Sequence, residues 1–490
     1  MVKEQEHQEK TADEWFFKGN FFHSKGMFID ALDAYTRALD LNPNLQGVWF
    51  NKALSHAQLQ QYEHALTSLD WALSLDINNY DFWCNKGQIL LELHRYDESL
   101  MAIENAIELN PIISKLWDCK GNTLLSMDQN EKALYAFNRA LEIDPNDIMT
   151  LHNRGIALEK LNRFEESLLV FDLAICKEPK NEKFWREKGF CLTRLQRYND
   201  ALECFEQAIK LAPDNAEFWA LKGHTLIDLQ RFEDALASCN QALKLKPDDV
   251  MALGDMGLIL IRLLRFDEAI KVTNRAIELE PNNAKLWNNK GLSHFNLKQF
   301  ENAIFAFDQC LKLDATISDA WFGRGNTLVS CHRYDEALDM YNEYLKYNPT
   351  NSFVWKGIAL AHSLLGNYDD AITAYDHALK IAPDDALTWC GKGDILKSLQ
   401  SYHESIIAFE MCLTLNPKNV FAWTGKGEAL LHLERYEDAL IAFDKALVLD
   451  PEDPDAWFGK VNTLNELGRY DDAAIAQKRA LIINNDNNLK

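Results

Sequence analysis

Two lysines flanked by glycines are the residues most suggestive of chemistry in this sequence. They lie in GKGDIL at residues 391–396 and in GKGEAL at residues 425–430. A lysine between glycines is typical of loops that bind phosphate, which need consecutive backbone N–H groups free to face the anion. Whether these tripeptides can form such a loop depends on the secondary structure around them.

Other side chains that could do chemistry are scattered. None of the 13 histidines forms an HExxH pair, and no Cys/His cluster has metal-ligand spacing; His332 beside Cys331 comes nearest. Cys331 falls at a position usually filled by a buried leucine, which favours a place in the core. We therefore expect no catalytic site, no metal and no cofactor, and we interpret the chain as a non-enzyme.

Composition and targeting signals point to a folded protein of the cytoplasm. Hydrophobic residues make up 47% of the chain and charged residues 26%, as in ordinary folded proteins. The ten cysteines include no CxxC pair, which favours reduced thiols. The N-terminus MVKEQEHQEKTADEW lacks the apolar segment of a secretory signal, and no run of about 18 apolar residues predicts a membrane span.

The charge balance argues against nucleic-acid partners. The chain has 51 basic and 74 acidic side chains, which gives a formal net charge of −23. That negative potential repels phosphate backbones at long range.

Tryptophan reveals an internal period. Twelve of the 13 tryptophans are separated by 34 or 68 residues, and Leu151 and Leu253 fill the two vacant places. These tryptophans are Trp15, Trp49, Trp83, Trp117, Trp185, Trp219, Trp287, Trp321, Trp355, Trp389, Trp423 and Trp457. Only Trp71 lies outside the register. A fixed period of this length is the signature of a repeat architecture.

Proline follows the same period independently, at 11 of its 12 occurrences. With the tryptophan placed at position 4 of a 34-residue repeat, these prolines occupy position 32. The sequence then predicts an N-terminal tail over 1–11, an array of fourteen repeats over 12–486 without insertion or deletion, and a C-terminal tail over 487–490. The repeats start near residues 12, 46, 80, 114, 148, 182, 216, 250, 284, 318, 352, 386, 420 and 454.

Each repeat is expected to form two helices. Apolar residues at positions 4, 8, 11 and 14, and again at 17, 20, 24, 27 and 28, follow helical spacing. A polar or glycine-bearing break at positions 15 and 16 separates them, and the proline ends the second helix. Small residues at positions 8, 20 and 27 would let paired helices approach closely. The GKG tripeptides then fall inside a helix, where the backbone N–H groups are already used, so no nucleotide site follows.

The pattern W-x-x-x-G…A-x-x-x-F…A…P resembles the tetratricopeptide repeat family, as in Trp185, Gly189, Ala201, Phe205 and Pro213. The resemblance implies an all-α, right-handed superhelical solenoid whose first helices line a concave groove. It also implies a protein-interaction scaffold that holds a peptide or partner protein there. In this family positions 2, 5, 6, 9, 12 and 13 mainly line the groove.

The last five repeats carry the strongest candidate for a partner site. Position 6 is glycine in all five, with apolar residues at positions 2 and 5 beside it; the set is Gly323, Gly357, Gly391, Gly425, Gly459, Phe322, Phe353, Leu387, Phe421 and Phe458. One interpretation is a groove floor without side chains and with apolar walls, suited to a partner helix or strand. The other is that duplication copied harmless glycines and that the aromatics pack between repeats.

Two family binding devices are absent or incomplete. The clamp for a C-terminal carboxylate needs lysine at position 5 and asparagine at position 9. Lys356 is the only lysine at position 5, and its position 9 is Leu360. Asparagine at position 6, which could grip a peptide backbone, occurs in adjacent repeats only at Asn51 and Asn85; scattered surface asparagines explain it equally well.

Two further features leave alternatives open. Position 7 is Lys or Arg in twelve of the fourteen repeats, where the family usually has leucine. Either these bases pack along a neighbouring helix and meet carboxylates, or they form a positive ribbon for an acidic partner. In the first repeat, Phe16 and Phe17 should be exposed and Phe22 buried, so an alternative function is self-association as a homodimer through this end.

Overall fold

The computed structural model describes residues 11–487, and within them all regular secondary structure is helical. The chain divides into two compact units, one ending at Leu245 and the other beginning at Lys246. The first unit contains α1 Ala12–Ser24, α2 Phe28–Leu41, α3 Gln46–Gln58, α4 Tyr62–Leu75, α5 Tyr80–Glu92, α6 Tyr96–Leu109, α7 Ser114–Ser126, α8 Asn130–Ile143, α9 Ile148–Lys160, α10 Phe164–Lys177, α11 Glu182–Arg194, α12 Tyr198–Leu211, α13 Ala216–Asp228 and α14 Phe232–Leu245.

The second unit repeats the same alternation of 13- and 14-residue helices, apart from its longer last helix. It contains α15 Val250–Arg262, α16 Phe266–Leu279, α17 Ala284–Asn296, α18 Phe300–Leu313, α19 Ser318–Ser330, α20 Tyr334–Tyr347, α21 Ser352–Leu364, α22 Tyr368–Ile381, α23 Ala386–Ser398, α24 Tyr402–Leu415, α25 Val420–His432, α26 Tyr436–Leu449, α27 Pro454–Glu466 and α28 Tyr470–Asn487. No helix in the described part of the chain is both long and apolar enough to cross a bilayer.

The turn between the two helices of a pair has one conformation throughout. Position 15 adopts a left-handed backbone, as at Gln60 with φ 58° and Gly366 with φ 78°. The amide of Gln60 donates to the Ala57 carbonyl and that of Gln61 to the His56 carbonyl, both at 2.9 Å. These are the two bonds of a Schellman motif, which satisfies carbonyls at a helix end. The predicted break at positions 15 and 16 is confirmed.

Tryptophan and proline share a period because they meet in space. The indole N–H of Trp49 donates to the carbonyl of Pro43 at 2.9 Å, and Trp457 does the same to Pro451. Where proline is replaced by Ile77, the carbonyl still accepts from the next tryptophan at 2.8 Å. The hydrogen bond therefore needs only the carbonyl at position 32, and the proline itself serves to end the second helix.

The glycines at position 8 allow the two helices of a pair to pack closely, as expected. A Cβ added to Gly427 would lie 2.7 Å from the Phe443 ring, and one added to Gly325 would lie 2.6 Å from the Tyr341 ring. Real Cβ atoms do not come this close to a ring carbon. The aromatic residue at position 24 thus occupies the space that glycine leaves free.

The side chain at position 7 contacts the preceding repeat. Where position 25 of the preceding repeat is acidic, its carboxylate pairs with the base at position 7, as in Lys86–Asp70 at 2.6 Å and Lys426–Glu410 at 2.7 Å. The same ammonium of Lys426 lies 5.7 Å from the Trp423 ring centroid, within reach of a cation–π contact. This arrangement matches the interpretation of these bases as packing residues that meet carboxylates. It also places the lysine of GKG inside α25.

Candidate functional site

The position-6 glycines of the last five repeats face aromatic rings of the preceding second helix. A Cβ on Gly425 would lie 2.5 Å from Phe409 Cζ, and one on Gly391 would lie 2.7 Å from the Tyr375 hydroxyl. Gly323, Gly357 and Gly459 face Phe307, Tyr341 and Phe443 in the same way. A packing requirement therefore accounts for the absence of a side chain at position 6 in these repeats. A direct contact between them and a partner stays a prediction.

The apolar residues beside the glycines divide into exposed and packed ones. Phe353, Leu387 and Phe421 at position 2 are 63%, 69% and 55% exposed, and Phe458 at position 5 is 42% exposed. We call these four residues the apolar stripe. Phe322 does not belong to it, because its ring packs against Tyr341 and Tyr344 at centroid distances of 6.1 and 6.0 Å.

Paired charges lie beside the stripe. The Lys356 ammonium contacts the Asp385 carboxylate at 2.6 Å and lies 4.3 Å from the centroid of the Phe353 ring. Burial alone would raise the pKa of Asp385, but hydrogen bonds from Lys356 and Thr388 outweigh it and keep that pKa below its usual value. Lys356 is thus already paired, which agrees with the absence of the carboxylate clamp.

A cleft of about 440 Å³ adjoins the end of the stripe. Phe458 and Gly459 line it together with side chains of α23, α24 and α25, and Lys397 bridges Glu428 at 2.6 Å and Asp394 at 3.1 Å along one wall. The stripe therefore combines apolar surface with a charged, partly concave border.

The two candidate asparagines of the first unit use their amide groups internally. Asn51 donates to the Asn20 side-chain oxygen at 2.8 Å, and Asn85 donates to the Asp81 backbone carbonyl at 2.8 Å. The two side chains do not bond to each other, so they form no continuous row of amide donors. The sequence interpretation as scattered asparagines fits this geometry, and a role in partner binding stays a prediction.

Sequence reasoning missed an ionisable cluster on α9 and α11. The Glu187 carboxylate is buried between Arg186 at 2.6 Å and the His152 Nε2 at 3.6 Å. Nearby, burial raises the pKa of Glu159 to about 7, and the Cys191 thiol donates to this carboxylate at 3.1 Å. The sequence signal for this cluster was limited to acidic residues at positions 6 and 12 of adjacent repeats. Acidic residues are so common in this chain that these two could not be distinguished from the others.

Two phenylalanines of α1 are exposed at its surface. Phe17 and Phe21 are 69% and 58% exposed, so the expectation for Phe17 is confirmed. The expectation of an exposed Phe16 is wrong, because its ring lies 6.2 Å from Tyr35 and packs against the core of the first repeat together with Phe22. Phe16 at position 5 points toward the neighbouring helix pair rather than outward.

Family models for the same repeat match successive segments of the chain. Models described as tetratricopeptide repeat match residues 80–112, 192–250, 226–290, 284–316, 318–351, 352–385, 386–419, 420–453 and 442–488, and a TPR repeat model matches 121–162. Together these segments cover well over half of the chain. The chain belongs to the tetratricopeptide repeat family. Proteins with this fold are typically interaction scaffolds.

Individual relatives of this tetratricopeptide repeat chain are distant or short. A 56-residue segment is 39% identical to an uncharacterised protein of Methanocaldococcus jannaschii, and it covers 11% of this chain and 65% of that protein. The chain thus matches somewhat less than two thirds of the relative's length.

Three solved structures are similar to this chain at low sequence identity. A Cut9–Hcn1 hetero-tetramer of the APC/C is 14% identical, with a TM-score of 0.48, over 93% of this chain and 96% of that chain. YrrB, described as a TPR protein with an unusual peptide-binding site, is 22% identical over 38% and 96%, with a TM-score of 0.33. A tetratricopeptide repeat protein from Parabacteroides merdae is 19% identical over 51% and 98%, with a TM-score of 0.38. None of the three assigns a partner to this chain.

Proposed function

We propose that this chain is a non-catalytic scaffold that binds a partner protein along the first helices of its last repeats. The observation that carries the proposal is the apolar stripe, in which position 2 presents an exposed apolar side chain on three successive first helices, α21, α23 and α25. Exposed apolar residues are ordinary when scattered, but a row of them on successive helices, with ion pairs beside it, is typical of an interaction surface.

The spacing of the stripe suggests the form of the partner. First helices of successive repeats contact each other, as α23 does α25, and helices packed side by side are about 8–10 Å apart. An α-helix rises about 10.5 Å in seven residues, so apolar side chains spaced by seven residues would meet successive members of the stripe. We therefore propose an amphipathic helix as the partner segment, lying in a concave groove formed by the first helices.

A peptide titration tests this proposal. The probe is a fluorescently labelled 21-residue helical peptide with leucine at every seventh position, titrated with the full chain and followed by fluorescence anisotropy. Burying one Phe or Leu side chain contributes about 1.5–3 kcal/mol. The triple substitution Phe353→Ser, Leu387→Ser and Phe421→Ser should therefore weaken binding at least a hundredfold.

Matched controls separate the stripe from general surface hydrophobicity. Ile407 and Ile441 lie on second helices and are 59% and 55% exposed, so Ile407→Ser with Ile441→Ser should leave the affinity unchanged. Equal affinity of the triple variant and the unmodified chain would refute the proposal. Tighter binding of a proline-rich peptide with leucine at every third residue would refute the helical form of the partner.

A second candidate function is self-association through the first repeat. It is favoured by Phe17 and Phe21, which lie four residues apart on one face of α1 and are both largely exposed. Light scattering of the unmodified chain and of a Phe17→Ser, Phe21→Ser variant tests it. A dimer that the variant converts to a monomer supports the idea, and a monomer in both cases rules it out.

A further inference from the structure

A cavity of about 400 Å³ lies among α3, α5 and α7 in the first compact unit, far along the chain from the apolar stripe. Its lining has two chemically different parts. Polar groups of α5 and α7 form one part, and aliphatic side chains of α3 and α5 form the other.

The polar part centres on the Asp118 carboxylate. Asn122 Nδ2 donates to Asp118 Oδ2 at 3.0 Å, and Asn153 Nδ2 donates to Asp118 Oδ1 at 3.1 Å. The Thr150 hydroxyl also donates to Asp118 Oδ1, at 3.2 Å. All three donors are neutral, and Asp118 forms no ion pair with any base between residues 11 and 487. The carboxylate is therefore held in a fixed orientation while its charge remains uncompensated.

The amides around the cavity add further hydrogen-bond acceptors. Asn122 must donate its N–H to the carboxylate and Asn85 must donate its N–H to the Asp81 backbone carbonyl at 2.8 Å, because neither partner can donate. The side-chain oxygens of Asn85 and Asn122 then remain available, and Glu92 lines the same cavity. A ligand that fits this set must supply several donors and a positive charge.

The aliphatic part of the lining adds a requirement for an apolar segment in the ligand. Leu54, Ala57, Ile89 and Leu91 form a wall beside the acceptors. A ligand with an apolar stem and a cationic end would pack its stem on this wall, as lysine and arginine side chains do on protein surfaces. We infer that the cavity binds a lysine or arginine side chain of a peptide partner. The inference rests on different residues from the apolar stripe and does not depend on it.

Short peptides test the inference directly. The probes are five-residue alanine peptides, N-acetylated and C-amidated, with a central lysine, arginine or acetyl-lysine, and their Kd for the full chain is measured by ligand-observed NMR. The lysine and arginine peptides should bind at least tenfold more tightly than the acetyl-lysine peptide. The Asp118→Asn variant should lose at least tenfold in affinity, whereas Glu108→Gln, at an exposed carboxylate on α6, should behave as the unmodified chain.

A second variant keeps the test decisive if Asp118→Asn fails to fold. Asn122→Lys places an ammonium one helical turn from Asp118, so that the new side chain should itself occupy the site. Peptide binding should then be abolished, while the circular dichroism spectrum stays unchanged. Equal binding of lysine and acetyl-lysine peptides, or full affinity of a folded Asn122→Lys variant, would overturn the inference. Cadaverine that binds as tightly as the lysine peptide would show a free-amine site and overturn the assignment to a peptide.

The apolar stripe provides the remaining control. The Phe353→Ser, Leu387→Ser, Phe421→Ser variant should keep full affinity for the lysine peptide. A loss of this affinity in the stripe variant would show that the two sites are one, contrary to the inference.

Discussion

Substituting Gly425 by alanine tests the packing explanation for the position-6 glycines. Gly425 lies inside α25, and an added Cβ would lie 2.5 Å from Phe409 Cζ and 2.9 Å from Phe409 Cε2. The Phe409 ring is fully buried, and a Cβ added to Gly393 would lie 3.0 Å from the same ring. The ring therefore has no free space into which it could turn away from a new methyl group.

Two opposing effects set the expected size of the change. Alanine is favoured over glycine inside a helix by about 1 kcal/mol, whereas adding a methyl group to a close-packed site costs about 1–3 kcal/mol. We expect Gly425→Ala to destabilise the protein by about 1 kcal/mol. Gly47→Ala is the matched control, because its Cβ would lie at an ordinary 3.7 Å from Phe16, and it should be neutral or stabilising.

Urea unfolding followed by circular dichroism provides the assay. Because repeat arrays do not always unfold in one step, midpoints of matched variants are compared. In a double-mutant cycle with Phe409→Leu, Gly425→Ala should cost less than in the unmodified chain, with a coupling of about 1 kcal/mol. If Gly425→Ala stabilises the protein, as the same substitution does at an exposed helical glycine, the packing explanation is refuted. An absence of coupling between Gly425→Ala and Phe409→Leu would refute it too. Gly425 would then be an open surface position.

Two further predictions concern charges. Lys426→Met removes the ion pair with Glu410, a carboxylate that is 53% exposed; it should cost no more than about 1 kcal/mol in urea unfolding, and the loss should shrink in 1 M salt. A loss that is independent of salt would mean that packing of the lysine stem dominates. Burial raises the pKa of Glu159 to about 7, so its contribution to stability is fully present below about pH 4.5 and is lost as the pH rises through 7. Relative to Glu159→Gln, the unmodified chain should therefore weaken by up to about 3 kcal/mol between pH 4.5 and 8. A difference between the two proteins that does not change with pH would contradict this.

Much of the fold could be predicted because two residue types repeat for local reasons. Helical spacing, the break at positions 15 and 16 and the small residues at position 8 are properties of one helix pair, so they can be recognised without any neighbour. The contact between the Trp49 indole and the Pro43 carbonyl crosses from one repeat to the next. Periodicity showed that both residues recur together but not that they touch, because a sequence period carries no information about distance.

The candidate site was predicted less completely, for a physical reason. Phe322 and Phe353 both lie at positions that the family resemblance assigns to the groove, in adjacent repeats, yet Phe322 packs on Tyr341 and Tyr344 whereas Phe353 is 63% exposed. An apolar residue at helical spacing is compatible with either environment. Tyr341 and Tyr344 lie on α20, the second helix of the same repeat as Phe322, so the difference becomes visible only when the two helices of a pair are placed against each other.

The contacts that join repeats use only part of the surface of each first helix. Positions 4, 6 and 7 hold successive repeats together through the Trp–carbonyl hydrogen bond, the glycine–ring contact and the ion pair, as at Trp423, Gly425 and Lys426. Positions 2 and 5 on the same helices make none of these three contacts, although position 5 packs internally in some repeats, as at Phe322. They are apolar at Phe421 in the second compact unit and acidic at Asp118 in the first. We therefore expect a substitution at an exposed position 2, such as Phe421, to change partner preference while the array stays folded, and a substitution at Gly425 to change stability as well.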